Sequence, residues 1–228
     1  TYGTSKLSNF KILNILQKEN YSKFDLKINL PGAKENFIKN IKIPLIGLHN
    51  VRNSTAAAAV AFSVGIPIKI IKKGLERFSG VQRRFTKVFS FQNVSFFDDY
   101  AHHPTEIVEV LDGVRKVYKN KEIICIFQPH RISRVKNLHE EFSKSFKMAD
   151  TIILSPIFKA GENIKLGFSY NNFAKKIIKN SKVKLILIKN KLDLVKYVKQ
   201  NIYGNKIAIG MGAGSISNWI RDLPKYIK

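Results

Sequence analysis

From Lys87 to the end of the chain, short apolar runs alternate with amphipathic stretches. This alternation limits the possible folds more than any other feature. The run 94–97 precedes a helical pattern over 104–119, with Ile107, Leu111, Val114 and Tyr118 on one face. Run 122–127 precedes a predicted helix 135–147 carrying Leu138, Phe142 and Phe146, and run 151–154 precedes helix 169–178. Run 183–188 precedes helix 191–202 with Leu192, Val195, Val198 and Ile202, and run 206–210 leads to a last helix with Ile216, Trp219, Ile220 and Leu223. Short apolar strands each followed by a helix predict an α/β, mostly parallel, doubly wound sheet. Residues 88–91 and 94–97 read as a hairpin at its start.

On that reading Asp98-Asp99, Gln128-Pro129-His130-Arg131, Ser155-Pro156 and the glycine-rich 210–215 all fall just after strands. The unusual polar residues therefore gather on the carboxyl edge of a Rossmann-like sheet, where open α/β sheets hold their ligands. Pro104 fits the first position of the helix that follows Asp98-Asp99, because its missing N–H would be unpaired there anyway.

The first 85 residues do not follow the same rhythm. Phe24-Asp25-Leu26-Lys27-Ile28 alternates like a strand, Pro31-Gly32 marks a turn, and residues 43–48 run into His49. A small-residue helix is predicted over 51–64, closed by Gly65, and a second over 67–78. The segment Gly80-Val81-Gln82-Arg83-Arg84-Phe85 is the boundary candidate, which divides the chain into domains 1–85 and 86–228.

Lys and Arg outnumber Asp and Glu by 40 to 16 in 228 residues, a formal charge of +24 that raises the question of nucleic acid. The lysines are scattered over solvent-facing helix positions, and no RNA-binding aromatic signature, zinc-finger spacing or basic zipper occurs. A small anionic substrate is the expected partner, with no nucleic acid and no membrane, since no apolar run approaches a bilayer span. The single Cys125, in an apolar run, reads as a core residue and fits a reducing, cytoplasmic setting. The chain begins at Thr1 without Met or a leader, so the expectation is a start part-way along a longer protein.

Individual constellations carry different weights. Asn50 and Asn53 stand three apart in the first turn of the small-residue helix, where a carboxamide pair can read an adenine edge. The commoner role for Asn50 is an N-cap, and on local grounds that role prevails. Arg83-Arg84 at the inferred boundary suits a phosphate or carboxylate, as much as it suits plain solvent exposure. Asp98-Asp99 can hold ribose hydroxyls or a metal, or cap the next helix, and His102-His103 lacks a third ligand for zinc, so no metal site is assigned. Arg131 and Arg134 stand three apart at a predicted helix start. If that turn is already helical, both reach one carboxylate, assisted by the helix N-terminus. Gly210-Met211-Gly212-Ala213-Gly214-Ser215 suits a tight turn that meets a ligand backbone-first.

Taken in order, Gly47-Leu48-His49-Asn50-Val51-Arg52-Asn53, Phe78 through Phe85, Asp98 through Glu106, Phe127 through Arg134 and Gly210 through Ser215 resemble the Mur ligases of bacterial cell-wall synthesis. The resemblance spans the whole chain, including Thr1-Tyr2-Gly3, but only the back half of the family's three-domain protein. It implies the end of a central ATPase domain followed by a complete C-terminal domain. It also implies an ATP-dependent, amide-forming ligase that joins L-alanine to UDP-N-acetylmuramate through an acyl phosphate. A recycling ligase that attaches a tripeptide to the same nucleotide is the close rival, and a noncatalytic nucleic-acid module the distant one.

By the same resemblance His49, Asn50 and Asn53 look like the adenine turn, Arg84 like the arginine reaching the phosphates, and Asp99 like the ribose acceptor. Tyr100, His103, His130, Arg131 and Arg134 look like the pocket for alanine and the acyl group, with Ser215 and the glycine turn shaping it. Arg84 and His103 are the catalytic candidates. The family's phosphate loop and Mg²⁺ ligands would precede Thr1, so the chain alone is expected to be inactive. Ser155 stands where the family usually has an acid.

Overall fold

The computed structural model describes residues 1–32 and 35–227. Two compact units emerge: Thr1–Gly80 with Lys116–Tyr118, and Val81–Arg115 with Lys119–Lys228.

In the first unit β1 (Tyr2–Gly3), β2 (Phe10–Lys18), β3 (Tyr21–Ile28) and β4 (Asn36–Ile43) form a sheet in that order. β1 pairs parallel with β2, and the other two pairings are antiparallel. Strict alternation in β3 puts Ser22, Phe24, Leu26 and Ile28 on a buried face. Helices α1 (Leu48–Ser63) and α2 (Ile68–Arg77) supply Val51, Ala58 and Ile71 to the same core. Gly47, at φ 94, precedes α1, and any Cβ there would meet His49 Cε1 at 2.6 Å. The two helices match expectation. Strands β2 and β4 were not foreseen.

The second unit holds β5 (Thr86–Phe91), β6 (Val94–Asp99), α3 (Pro104–Val117), β7 (Glu122–Phe127), α4 (Ile132–Asn137) and α5 (His139–Lys144). It continues with β8 (Thr151–Leu154), α6 (Tyr170–Ser181), β9 (Lys184–Leu187), α7 (Lys191–Asn201), β10 (Lys206–Met211), α8 (Ile216–Asp222) and α9 (Pro224–Ile227). The sheet order is β5-β6-β10-β7-β8-β9, antiparallel only between β5 and β6. This is the predicted α/β, mostly parallel sheet, and the predicted 122–127 and 151–154 strands match residue for residue.

Alternation along β7 sends Ile124 and Ile126 to a core shared with Leu194, Val198, Ile216 and Ile220 of α7 and α8. Phe127 faces the other way and packs against Phe142 and Phe146, with ring centroids 5.8 and 5.1 Å apart. Burying a side chain of that size contributes roughly 1.5–3 kcal/mol. The predicted helix over 135–147 is instead α4 and α5, broken at Leu138, whose φ of −117° leaves the helical range. Both short helices still bury an apolar side, through Ile132, Val135 and Phe142.

Candidate functional site

In the first unit the candidates cluster at the start of α1. Asn50 is not the N-cap, a place taken by Gly47. It lies within the first turn, 9% exposed, and its Nδ2 donates to Ile46 O at 2.7 Å. Asn53 is exposed one turn on. The two amides share a turn, but one braces the backbone and only the other faces solvent.

The second unit collects its candidates on the carboxyl edge of the parallel strands. β6 ends in Asp98 and Asp99, both buried and engaged within the protein. Asp98 Oδ2 accepts from Ser217 Oγ at 2.6 Å and pairs with Arg221 at 3.3 Å. Asp99 Oδ1 accepts from Ala101 N at 2.7 Å, and Oδ2 from Phe85 N at 2.8 Å. Burial pushes its pKa up to about 6, against the two N–H groups and nearby Arg84, which pull it down. Asp99 therefore ties 83–85 to the turn after β6. Neither aspartate caps α3.

That capping falls to His103 and Glu106. The N–H of Thr105 donates to His103 Nδ1 at 3.3 Å, leaving Nε2 to carry the hydrogen of the neutral ring. Glu106 Oε2 accepts from His102 N and His103 N at 3.0 and 3.2 Å, a reciprocal cap. Burial alone would raise the Glu106 pKa. The His102 N–H and imidazole and the His103 N–H outweigh it and hold the carboxyl below its ordinary value. Pro104 begins α3, as expected.

A row of rings runs along the edge from here. Tyr100 meets His102 edge-on at 5.0 Å, His102 meets His130 at 5.7 Å, and His130 stacks on Phe158 at 5.5 Å with 12° between planes. Arginines flank the row. Arg83 and Arg84 lie over Tyr100 at 4.7 and 5.8 Å, and Arg83 also donates to Gly212 O at 2.6 Å. Arg134 reaches back to His130 O at 3.1 Å and to its Nδ1 at 3.3 Å. Burial, then His102, Arg134 and Arg131, hold the His130 pKa below the usual histidine value, so the ring is neutral near pH 7.

The start of α4 corrects one expectation. Arg131 is the N-cap at φ 71, not a helical residue, and it is exposed. Its N–H donates to Phe158 O at 2.8 Å, while Phe158 N donates to Pro129 O at 2.8 Å. The helix N-terminus is already filled: Glu162 Oε2 accepts from Ser133 N at 2.9 Å, and Oε1 takes the Ser133 hydroxyl. A ligand carboxylate would thus rely on the arginine side chains without those amides. Glu162 and Phe158 had no assigned role, and Glu162 had no signal beyond being an acid between loop residues.

The glycine turn packs more closely than expected. A Cβ at Gly212 (φ 147) would meet Gln128 O at 2.7 Å, and one at Gly214 would meet Phe158 Cγ at 2.5 Å and Gln128 Oε1 at 2.6 Å. Protein groups, Gln128 and Phe158, sit where a ligand was expected. Ser215 Oγ bonds the Gln128 side chain at 3.0 Å, and Gln128 Oε1 accepts from Ile216 N at 3.0 Å. Ser155 is buried, its carbonyl held by Tyr170 OH at 2.6 Å.

The second unit is a doubly wound α/β domain with an arginine-flanked row of rings at its carboxyl edge. The family model described as "Mur ligase, glutamate ligase domain" matches residues 83–214. The chain belongs to the Mur ligase family. It is 62% identical over 227 residues to a UDP-N-acetylmuramate–L-alanine ligase of Pelagibacter ubique, covering 100% of this chain and 49% of that protein. A solved UDP-N-acetylmuramate-alanine ligase from Thermotoga maritima superposes with a TM-score of 0.77 at 25% identity, over 98% of this chain and 46% of that one. A murein peptide ligase from Psychrobacter arcticus shares the fold, with a TM-score of 0.69 at 20% identity over 99% of this chain and 45% of that one. The chain spans about half the length of these relatives.

Proposed function

We propose that this chain is the amino-acid-handling half of a cytoplasmic, ATP-dependent ligase joining L-alanine to UDP-N-acetylmuramate in peptidoglycan precursor synthesis. Such an enzyme serves cell-wall biogenesis, and through it cell shape and division. The observation that carries the reading is the row Tyr100–His102–His130–Phe158, with Arg83, Arg84 and Arg134 packed on it and Arg131 exposed beside it. The 62% identical relative bears the same activity in its name.

The chemistry assigns the roles. A carboxylate is a poor electrophile, and phosphorylation by ATP gives it a leaving group that the alanine amine then displaces. Arg131 and Arg134 hold the amino-acid carboxylate by charge-assisted hydrogen bonds, beside a His130 kept neutral. Tyr100 and Ser215 border the same pocket. His103, with Nε2–H left to donate, and Arg84 offset negative charge developing on the acyl group and the transferred phosphoryl. His49, Asn50 and Asn53 recognise the adenine, Asn53 through its exposed amide, and Asp99 serves the ribose side while bracing Phe85 and Ala101. Mg²⁺ would offset phosphate charge, and we assign it no ligand among these residues. We further read 1–85 as the late part of a central ATPase domain and 86–228 as the C-terminal domain. The parting of the compact units at Gly80 and Val81, five residues earlier, supports a division in this segment.

The test uses a polypeptide of the relatives' full length. L-alanine should drive ATP hydrolysis with UDP-N-acetylmuramate far better than a murein tripeptide does. Arg131→Ala or Arg134→Ala should raise KM for alanine with a smaller effect on KM for ATP. Unchanged alanine kinetics in both variants would sink the carboxylate assignment, and preference for the tripeptide would transfer the chain to the recycling class.

A further inference from the structure

The outer face of the β2-β3-β4 sheet carries a charge arrangement that a free surface does not favour. Register places Lys11 directly opposite Lys27 across β2 and β3, and Lys23 directly opposite Lys42 across β3 and β4. Like charges facing each other across an antiparallel pair are destabilising. Lys18, opposite Tyr21, adds a fifth lysine. The carboxylate amid them, Asp25, has its oxygens held at 2.7 Å by Asn14 Nδ2 and Asn40 N, so neutral donors bind it. At the edge Glu35 pairs with Lys27 at 2.6 Å.

Apolar groups stand among these charges. Leu16, opposite Lys23 on β3, is 45% exposed, and Phe37, opposite Lys27, is 44% exposed. Two of the lysines also lie over rings of this face, Lys42 Nζ 4.4 Å over Tyr21 and Lys27 Nζ 5.6 Å over Phe37. No arginine occurs between residues 10 and 43 to fork onto a nucleic-acid phosphate. Lysines surrounding protruding apolar side chains fit an anionic lipid surface instead, with headgroups offsetting the paired charges and Leu16 and Phe37 entering the interface.

We propose that this sheet face is a docking surface for anionic phospholipid. The expectation of no membrane partner rests on the lack of an apolar span, and no helix among the described residues is long and apolar enough to cross a membrane. A face that lies on headgroups needs no span.

A polypeptide of the relatives' full length would be sedimented with phosphatidylcholine vesicles and with vesicles containing about one-third phosphatidylglycerol, at low and physiological salt. Binding is expected only to the anionic vesicles, weaker in salt, and reduced about tenfold or more by Lys11→Glu with Lys42→Glu. That double substitution converts both like-charge pairs to opposite-charge pairs, so its Tm should hold or rise. If it misfolds, Lys11→Gln with Lys42→Gln serves, with a smaller expected loss. Lys175→Glu with Lys179→Glu, on exposed positions of α6, makes the same change in net charge away from the face and should leave most binding intact. Equal binding to both vesicle types, no binding to anionic vesicles, or equal loss in the α6 variant would overturn the proposal. So would capture of single-stranded RNA in preference to vesicles.

Discussion

Glu162 closes the start of α4 from 29 residues downstream, with its carboxylate across the N–H and hydroxyl of Ser133. A side chain from the loop after β8 thereby fixes the turn that presents Arg131 and Arg134. The Ser133 bonds, and nearby Arg131, hold the Glu162 pKa below its ordinary value. Glu162→Ala should speed amide hydrogen exchange at Ser133 while leaving exchange along β7 unchanged. Equal exchange at Ser133 in both proteins would show that the cap does not hold the turn.

Asp99 should imprint a pH dependence on stability. Its folded-state pKa of about 6 lies above the unfolded reference of 3.8, so the folded chain binds the proton more tightly. This contribution is fully present below pH 3.8 and is lost as pH rises through about 6, a swing of roughly 3 kcal/mol. Denaturant midpoints at several pH values should fall across that window in the parent, and the fall should flatten in Asp99→Asn. Parallel profiles for the two proteins would refute the assignment.

Gly214→Ala should destabilise the second unit by about 1–3 kcal/mol, since its Cβ has no room beside Phe158 and Gln128. The backbone there is not left-handed, so the effect is a clash and nothing else. Phe158→Ala in the same chain should recover part of the loss in thermal melts. A double variant no more stable than Gly214→Ala would place the strain elsewhere.

Gln128→Ala should leave the buried Ile216 N–H without its acceptor, at a cost of about 1–3 kcal/mol. Gln128→Glu keeps an oxygen for that N–H and should lose less. Chemical denaturation of the three proteins gives the ranking directly.

The second unit was legible because its inner strands β6, β7, β8 and β10 are short and buried on both faces, so apolar runs marked them almost to the residue. The first sheet was not, and the reason lies in its bulges. Asn40, at φ 57, inserts a residue between buried Ile38 and buried Ile41, and Asn14, at φ 52, interrupts β2 after Ile12. A spacing of three breaks the two-residue period by which strands are recognised. At the site, the residue types and their common edge could be read, but their partners could not. That Asp99 braces backbone, or that Glu162 fills the start of α4, depends on contacts between segments far apart in sequence.

The strand order has a consequence for how the chain comes to be folded. β10, the last of the six strands in chain order, lies between β6 and β7, which precede it by about 110 and about 80 residues. Until residues 206–211 leave the ribosome, β6 and β7 each present an unpaired edge toward a gap in the middle of the sheet. The carboxyl edge cannot assemble before β10 has been made, and a nascent chain stalled short of it exposes two adhesive strand edges. Quality control in the cell would thus meet either the finished domain or an open, aggregation-prone one, with little in between.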